Sequence, residues 1–510
     1  MSGASVRTIS GDVRGTAHRG GSLFAGLPYA APPVGPRRFC PPAPVEPWVG
    51  VREAVEVGPS SAQLVRPTLP HWRRLVQLHA PADEDCLYLN VHTPSTEGAH
   101  RPVMVWFHGG GLQGGSGDSW PFLEGGFLSE DIVLVTVNYR LNVLGFLYLD
   151  EQFDQAEGTG NLGHLDQVAA LRWVAENIAS FGGDRDNVTI FGESAGGWSV
   201  AHLLAIPSAR GLFRSAIVQS GGLEAAATLD ESRAITASVL SSLGVRPGDW
   251  DALQRVQLER LLDETTPGRH PRTAIQLGSF LTVADGVVVP LDPTAAIAAG
   301  SASATSVVVG YNRDEWAGMH LGVPAGVLPP PLFATAAARA GVSEEDMRAH
   351  YRGSTVGSGR GDPTAMEYAA FTTDAIFSVP AANLSEALIH GGARLWRYRF
   401  DWRSPVQDGV LGAYHAIDVP FTFGALDEPD MLGDAPPVEV ADGMRRSWSR
   451  FARSGDPREF LGVEWPEFAR DRAVMSLRPD PFVLDDPDRQ LHPTWRAALR
   501  FRTVDAVPSP

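Results

Sequence analysis

Asn187-Val188-Thr189-Ile190-Phe191-Gly192-Glu193-Ser194-Ala195-Gly196-Gly197 is the stretch on which the fold of this chain turns. After Asn187 its next four residues are β-branched or aromatic, and the five read as a short buried strand. Gly192-Glu193-Ser194-Ala195-Gly196 follows, a Gly-x-Ser-x-Gly pentapeptide. Gly197 to Leu204 then carries apolar residues at helical spacing and stops before Pro207. Strand, sharp turn and helix form the setting in which a serine hydroxyl is held exposed at the edge of a sheet. The glycines permit the tight turn and a close helix.

Further apolar runs recur outward from this stretch. Pro102 to Phe107, Ile132 to Val137, Ser215 to Gln219, Ser306 to Val309 and Leu395 to Phe400 read as buried strands, like Val188 to Phe191. Helix-length segments such as Asp166 to Ala179 separate several of them. The alternation predicts an α/β fold with a large, mostly parallel central sheet and helices on both faces. Residues 225–300 and 320–390 are richer in helical pattern and are expected to form a cap over the C-terminal edge of that sheet. The whole of 1–510 is read as a single domain, because α/β enzymes often exceed the usual domain size.

Composition narrows the chemistry. The 510 residues are 44% hydrophobic and carry a net charge of −17, which argues against nucleic-acid binding and a polybasic membrane anchor. All 42 basic residues are arginine. Without lysine there is no Schiff-base lysine, no P-loop lysine and no Ser-x-x-Lys hydrolase. No His-Glu-x-x-His or cysteine cluster occurs, so no metal or other cofactor is expected. The N-terminus has no signal-peptide pattern and no apolar run reaches 18 residues. Cys40 and Cys86 are too few for a secreted scaffold. These features point to a cytoplasmic protein without a membrane segment. Its oligomeric state is open, with a monomer favoured.

A serine nucleophile needs a base, a group that orients the base, and donors for the oxyanion. Val103 to Phe107 runs into His108-Gly109-Gly110-Gly111, a loop whose bare amides can approach a substrate oxygen. The Ala195 amide, just after the serine, supplies a further donor at a helix N-terminus. Gly109-x-Gly111-x-x-Gly114 also matches a dinucleotide fingerprint, but Ser116-Gly117-Asp118-Ser119 does not begin an amphipathic helix. His108 is expected to brace the loop. The acid and base should follow the serine in the chain. Asp314 and Glu315 compete for the acid at the end of the Ser306 strand, and one of them can simply pair with Arg313. Fourteen histidines compete for the base. His415 stands out in the loop-like Gly412-Ala413-Tyr414-His415-Ala416. Leu112 and Trp198 are candidates for the acyl side of a pocket, with ordinary packing as the alternative.

From about Phe24 to Phe468 the chain resembles the type-B carboxylesterase family, which includes bacterial para-nitrobenzyl esterases and the cholinesterases. The resemblance rests on Gly26-Leu27-Pro28-Tyr29-Ala30, Glu84 to Val91, Asn138-Tyr139-Arg140, Phe181-Gly182-Gly183-Asp184 and the serine pentapeptide. It implies an α/β-hydrolase fold and hydrolysis of small to medium carboxylic esters through an acyl-enzyme. It implies Ser194 as nucleophile, Glu315 as acid and His415 as base, with Gly110, Gly111 and Ala195 as oxyanion donors. Ser220 is implied as a second serine behind the triad, Glu193 as a neighbour of it, and Arg38 with Glu84 as a structural salt bridge. The chain departs from many relatives at Gly58-Pro59-Ser60-Ser61, where serines stand instead of the cysteine that would pair with Cys86. Two free thiols are therefore expected. Leu64 to Pro81 does not resemble the aromatic choline-binding loop. Amides, carbamates or a specialised natural-product ester remain alternative substrates for the same triad, and a non-catalytic binding protein is a further alternative.

Overall fold

The computed structural model describes residues 3–64, 69–98, 100–224, 226–271, 278–320, 334, 337, 343–360, 362–491, 493 and 495. Eleven strands form one sheet. In chain order they are β1 (Thr16–His18), β2 (Gly21–Pro28), β3 (Tyr88–Thr93), β4 (Arg101–Phe107), β5 (Val133–Val137), β6 (Gly183–Glu193), β7 (Ser215–Gln219), β8 (Ser306–Asn312), β9 (Arg394–Phe400), β10 (Ala473–Leu477) and β11 (Phe482–Asp485). Across the sheet they run β11-β10-β9-β8-β7-β6-β4-β5-β3-β2-β1. The seven from β10 to β5 are mutually parallel, and both margins are antiparallel.

Strand periodicity builds a core on each face. In β4, Val103, Val105 and Phe107 enter one core, while Met104 and Trp106 enter the other. Ala216 and Val218 of β7, and Val307 and Val309 of β8, join the first; Ile217 and Val308 join the second. A strand covered on both faces has no solvated side, so its apolar run is nearly continuous. The first core is closed by helices that include α1 (Leu162–Asn177) and α2 (Ala195–Leu203). The second is closed by α3 (Val438–Ser454), through Val440, Met444, Trp448 and Phe451.

The helix-rich stretch 225–300 contains helices Leu229–Leu243, Trp250–Gln254, Leu258–Asp263 and Pro293–Ala298. Their buried side chains, such as Ile235, Val239, Leu253 and Ile297, merge with the first core. Of 320–390, residues 321–333, 335–336, 338–342 and 361 lie outside the described residues. The rest includes helices Glu344–Tyr351, Pro363–Thr373 and Val379–His390, the last two joined by a π-helical turn, Asp374–Ser378. Two ion pairs tie loops to the frame. Arg140 meets Asp166 of α1 at 2.7 Å, with both side chains almost fully buried. Arg38 meets Glu84 at 2.7 Å, as the resemblance implied. Cys40 and Cys86 are both free. No helix among the described residues is long and apolar enough to cross a membrane.

Candidate active site

Ser194 sits between β6 and α2 with φ 57° and ψ −123°, a conformation that costs energy for any residue with a side chain. Contacts around it hold the turn. A Cβ on Gly196 would collide with the Phe107 carbonyl, and one on Gly197 with the Gln219 carbonyl. Only glycine lets α2 start this close to β4 and β7. The Ser194 amide donates to the Gln219 carbonyl at 3.0 Å. The hydroxyl therefore stands at the C-terminal edge of the parallel strands, at the N-terminus of α2.

The three distant candidates meet there. His415 Nε2 lies 2.9 Å from Ser194 Oγ, and His415 Nδ1 lies 2.6 Å from Glu315 Oε2. The carboxylate partner fixes the tautomer: Nδ1–H donates to Glu315, and Nε2 is left to accept from the serine hydroxyl. Glu315 is fully buried. Its other oxygen accepts from the Ser220 hydroxyl at 2.6 Å and the Asn312 amide at 2.7 Å. Asp314 points elsewhere, pairing with Arg313 at 2.6 Å and accepting from the Ala413 amide. The sequence left these two carboxylates in competition; only Glu315 reaches the imidazole.

The His415 ring is steadied from several sides. Phe377 packs on it at 4.9 Å between centroids, and the Trp72 indole donates to the His415 carbonyl at 3.0 Å. Glu193 Oε1 lies 3.3 Å from His415 Nε2. Behind Glu315, Asp418 accepts from Gln219 at 2.8 Å and from Asn312 at 3.1 Å.

His108 stacks on Tyr139 at 4.6 Å between centroids, and its Nδ1 contacts the Gly109 carbonyl at 2.8 Å. Burial pushes its pKa down to about 4, so it is neutral at physiological pH. It braces the loop, as expected from its position. Gly110 has φ 111° and Gly111 φ 68°, both glycine territory. After Gly114 the chain continues through turns, not a helix, which removes the dinucleotide reading.

A cavity of about 350 Å³ opens over these groups, lined by Gly109, Gly110, Gly111, Glu193, Ser194 and His415. Much of its wall is aromatic: Trp72, Trp106, Phe122, Trp198, Trp316 and Phe377. Trp198 lines it as one sequence alternative had it. Leu112 does not; it is fully buried in the first core. No group of three or more His, Cys, Asp or Glu side chains among the described residues is placed to hold a metal.

A model of the carboxylesterase family matches residues 2–492. The chain belongs to the carboxylesterase family. This carboxylesterase is 36% identical over 506 residues to a para-nitrobenzyl esterase of Bacillus subtilis (strain 168), covering 95% of this chain and 97% of that one. It is 35% identical over 509 residues to a phenmedipham hydrolase of Pseudarthrobacter oxydans, covering 94% of each. A Geobacillus stearothermophilus carboxylesterase structure superposes with a TM-score of 0.82 at 36% identity, over 97% of this chain and 99% of the other. A PNB esterase structure superposes with a TM-score of 0.83 at 33% identity. The fold is the α/β-hydrolase fold, and the enzyme is a carboxylic ester hydrolase.

Trp72 and Phe377 had no signal of their own in the carboxylesterase sequence. Trp72 ends a short 3-10 helix, Pro70–Trp72, and Phe377 lies in the π-helical turn. Only tertiary packing brings them to His415.

Proposed function

We propose that the chain hydrolyses small to medium, uncharged carboxylic esters through a Ser194–His415–Glu315 triad and an acyl-enzyme. One observation carries the reading: an unbroken line of hydrogen-bonding groups from Ser194 Oγ through both ring nitrogens of His415 to Glu315, ending under a cavity. His415 Nε2 takes the Ser194 proton as Oγ attacks the carbonyl carbon. The amides of Gly110, Gly111 and Ala195 receive the oxyanion. Their strength comes from being fixed before charge develops in a site lined by apolar rings. His415 then protonates the leaving alcohol. Water, deprotonated by the same nitrogen, attacks the acyl-serine and releases the acid. The Glu315 carboxylate supports the imidazolium, and Ser220 and Asn312 hold it in place.

The aromatic wall, which holds no arginine among the described residues, supports apolar acyl and alcohol groups over charged ones. The chain is read as one catalytic unit, with 225–300 and 320–390 as insertions around the pocket. A monomer in a reducing, cytoplasmic setting belongs to the same proposal and agrees with the two free thiols. Steady-state kinetics on a panel of esters, amides and carbamates tests it. Ser194→Ala is expected to lower kcat by at least about 10⁴-fold on every cleaved substrate while leaving the melting temperature near the parent's. Parent-level turnover by that variant would refute the nucleophile.

A further inference from the structure

A second cavity, also about 350 Å³, lies beyond the triad acid and shares no lining residue with the catalytic pocket. Its wall includes Tyr311 of β8, Arg399 of β9, and Arg313 and Arg403 from the loops that follow these strands. The polar groups here are unevenly matched. Each carboxylate in the wall has partners of its own. Asp314 takes Arg313 at 2.6 Å and the Ala413 amide at 2.9 Å. Asp374 takes the hydroxyls of Tyr351 and Ser378, each at 2.8 Å. Asp488 takes Arg397 at 2.6 Å. Arg399 is matched by Asp401 at 2.7 Å.

Two donors are left over. Arg403 is exposed and has no carboxylate within ion-pair distance among the described residues. Tyr311 is only 6% exposed, yet its hydroxyl has no hydrogen-bond partner among the described residues and borders the cavity. The hydroxyl is not sealed from solvent, so it stays open to a ligand from the cavity side. Ser354 and Thr355 add hydroxyls to the same wall. The wall thus carries one guanidinium without a counter-charge and one phenol without a partner among the described residues.

We propose that the cavity bordered by Tyr311, Arg313, Arg399 and Arg403 binds a small oxyanion, a carboxylate or a phosphate monoester, separately from the ester substrate. Guanidinium forks match the paired oxygens of such groups, and the Tyr311 hydroxyl supplies a neutral donor from the floor. The site stands back to back with the catalytic pocket. Asp374 and Ser378 face it while Phe377, between them in sequence, packs on His415. Asp314 faces it while Glu315, the next residue, holds the His415 ring.

Isothermal titration of the full chain tests this, with sodium phosphate and sodium acetate as separate probes at an ionic strength held constant with chloride. At least one probe is expected to bind the parent saturably. Arg403→Gln should weaken that binding about tenfold or more, the usual size of a lost charge-assisted hydrogen bond, and Tyr311→Phe should weaken it severalfold. Arg403→Lys should recover part of the loss. Binding of phosphate alone assigns phosphate esters; binding of acetate alone assigns carboxylates; both assign oxyanions generally. Arg403 is exposed, so its variants are expected to keep the parent's melting temperature in chloride. No saturable binding by either probe, or binding that neither Arg403→Gln nor Tyr311→Phe alters, overturns the proposal. The second result would place the anion elsewhere, the oxyanion loop included. Ser194→Ala should retain binding, which separates this test from that of the triad.

Discussion

Glu193 and Ser194 are consecutive, and both reach the same nitrogen of His415, at 3.3 Å and 2.9 Å. Burial pushes the Glu193 carboxyl up to about 8. Burial alone would lower the His415 pKa, but the facing Glu193 and Glu315 carboxylates outweigh it and raise it to about 9. The groups titrate together. A protonated ring cannot take the serine proton, so activity falls as pH drops through the value held by the ring. The kcat/KM profile on an uncharged ester should therefore rise on the alkaline side of neutral, above the 6.5 of an ordinary imidazole. Glu193→Gln removes one of the charges that favour the imidazolium and should move the limb toward neutral pH. An unmoved limb would assign the effect to Glu315 alone.

The loop after β4 and the turn after β6 do their work through backbone shape. A Cβ on Gly110 would strike the Gly114 carbonyl at a φ of 111°, where side chains are strained in any case. Gly110→Ala should lower kcat by about 10²–10³-fold, the usual cost of one misplaced oxyanion donor. Its melting temperature should fall as well, because the Cβ meets backbone at a strained φ and Leu112, two residues on, is buried in the first core. Kinetics with parallel thermal unfolding check both halves. These glycine-rich turns were readable in sequence because the chemistry needs the residue type itself. The central strands were readable because burial on both faces leaves continuous apolar runs. Val188 to Phe191 was seen short; β6 begins at Gly183, five residues earlier, across a register shift between Gly183 and Val188. The antiparallel margin was not seen at all. β3 buries Asn90, His92 and Thr93, which break the apolar run, and Asn90 serves to bind the Gly26 amide and Thr136. In β2, Gly21, Gly26 and Pro28 blur the pattern further.

The molecule is held chiefly by two cores separated by one sheet, and the charges buried with them include Arg140, Asp166, Arg397 and Asp488. Arg140 shows how such a charge is accommodated. Its guanidinium makes two bonds to Asp166, at 2.7 and 2.8 Å, and a third to the Cys40 carbonyl at 2.7 Å. It thereby joins the loop after β5, helix α1 and the N-terminal segment. Asp166→Ala would leave that guanidinium buried without a counter-charge. A loss of about 3–5 kcal/mol is expected in denaturant unfolding, with no change in the pH limb of any residual activity. Replacement of both partners by apolar residues of similar volume should cost less than Asp166→Ala alone. Sequence marked Asn138-Tyr139-Arg140 only by family resemblance. The partner lies 26 residues on, and spacing does not reveal a pair that forms across a sheet edge.

That three remote segments act as one nucleophilic unit is tested most directly by locating a covalent adduct. A fluorophosphonate probe should label the native enzyme once, and peptide mass spectrometry should find it on Ser194. The rate should collapse in His415→Ala, and labelling should vanish in Ser194→Ala. An adduct on another serine, or undiminished labelling without His415, would contradict the assignment.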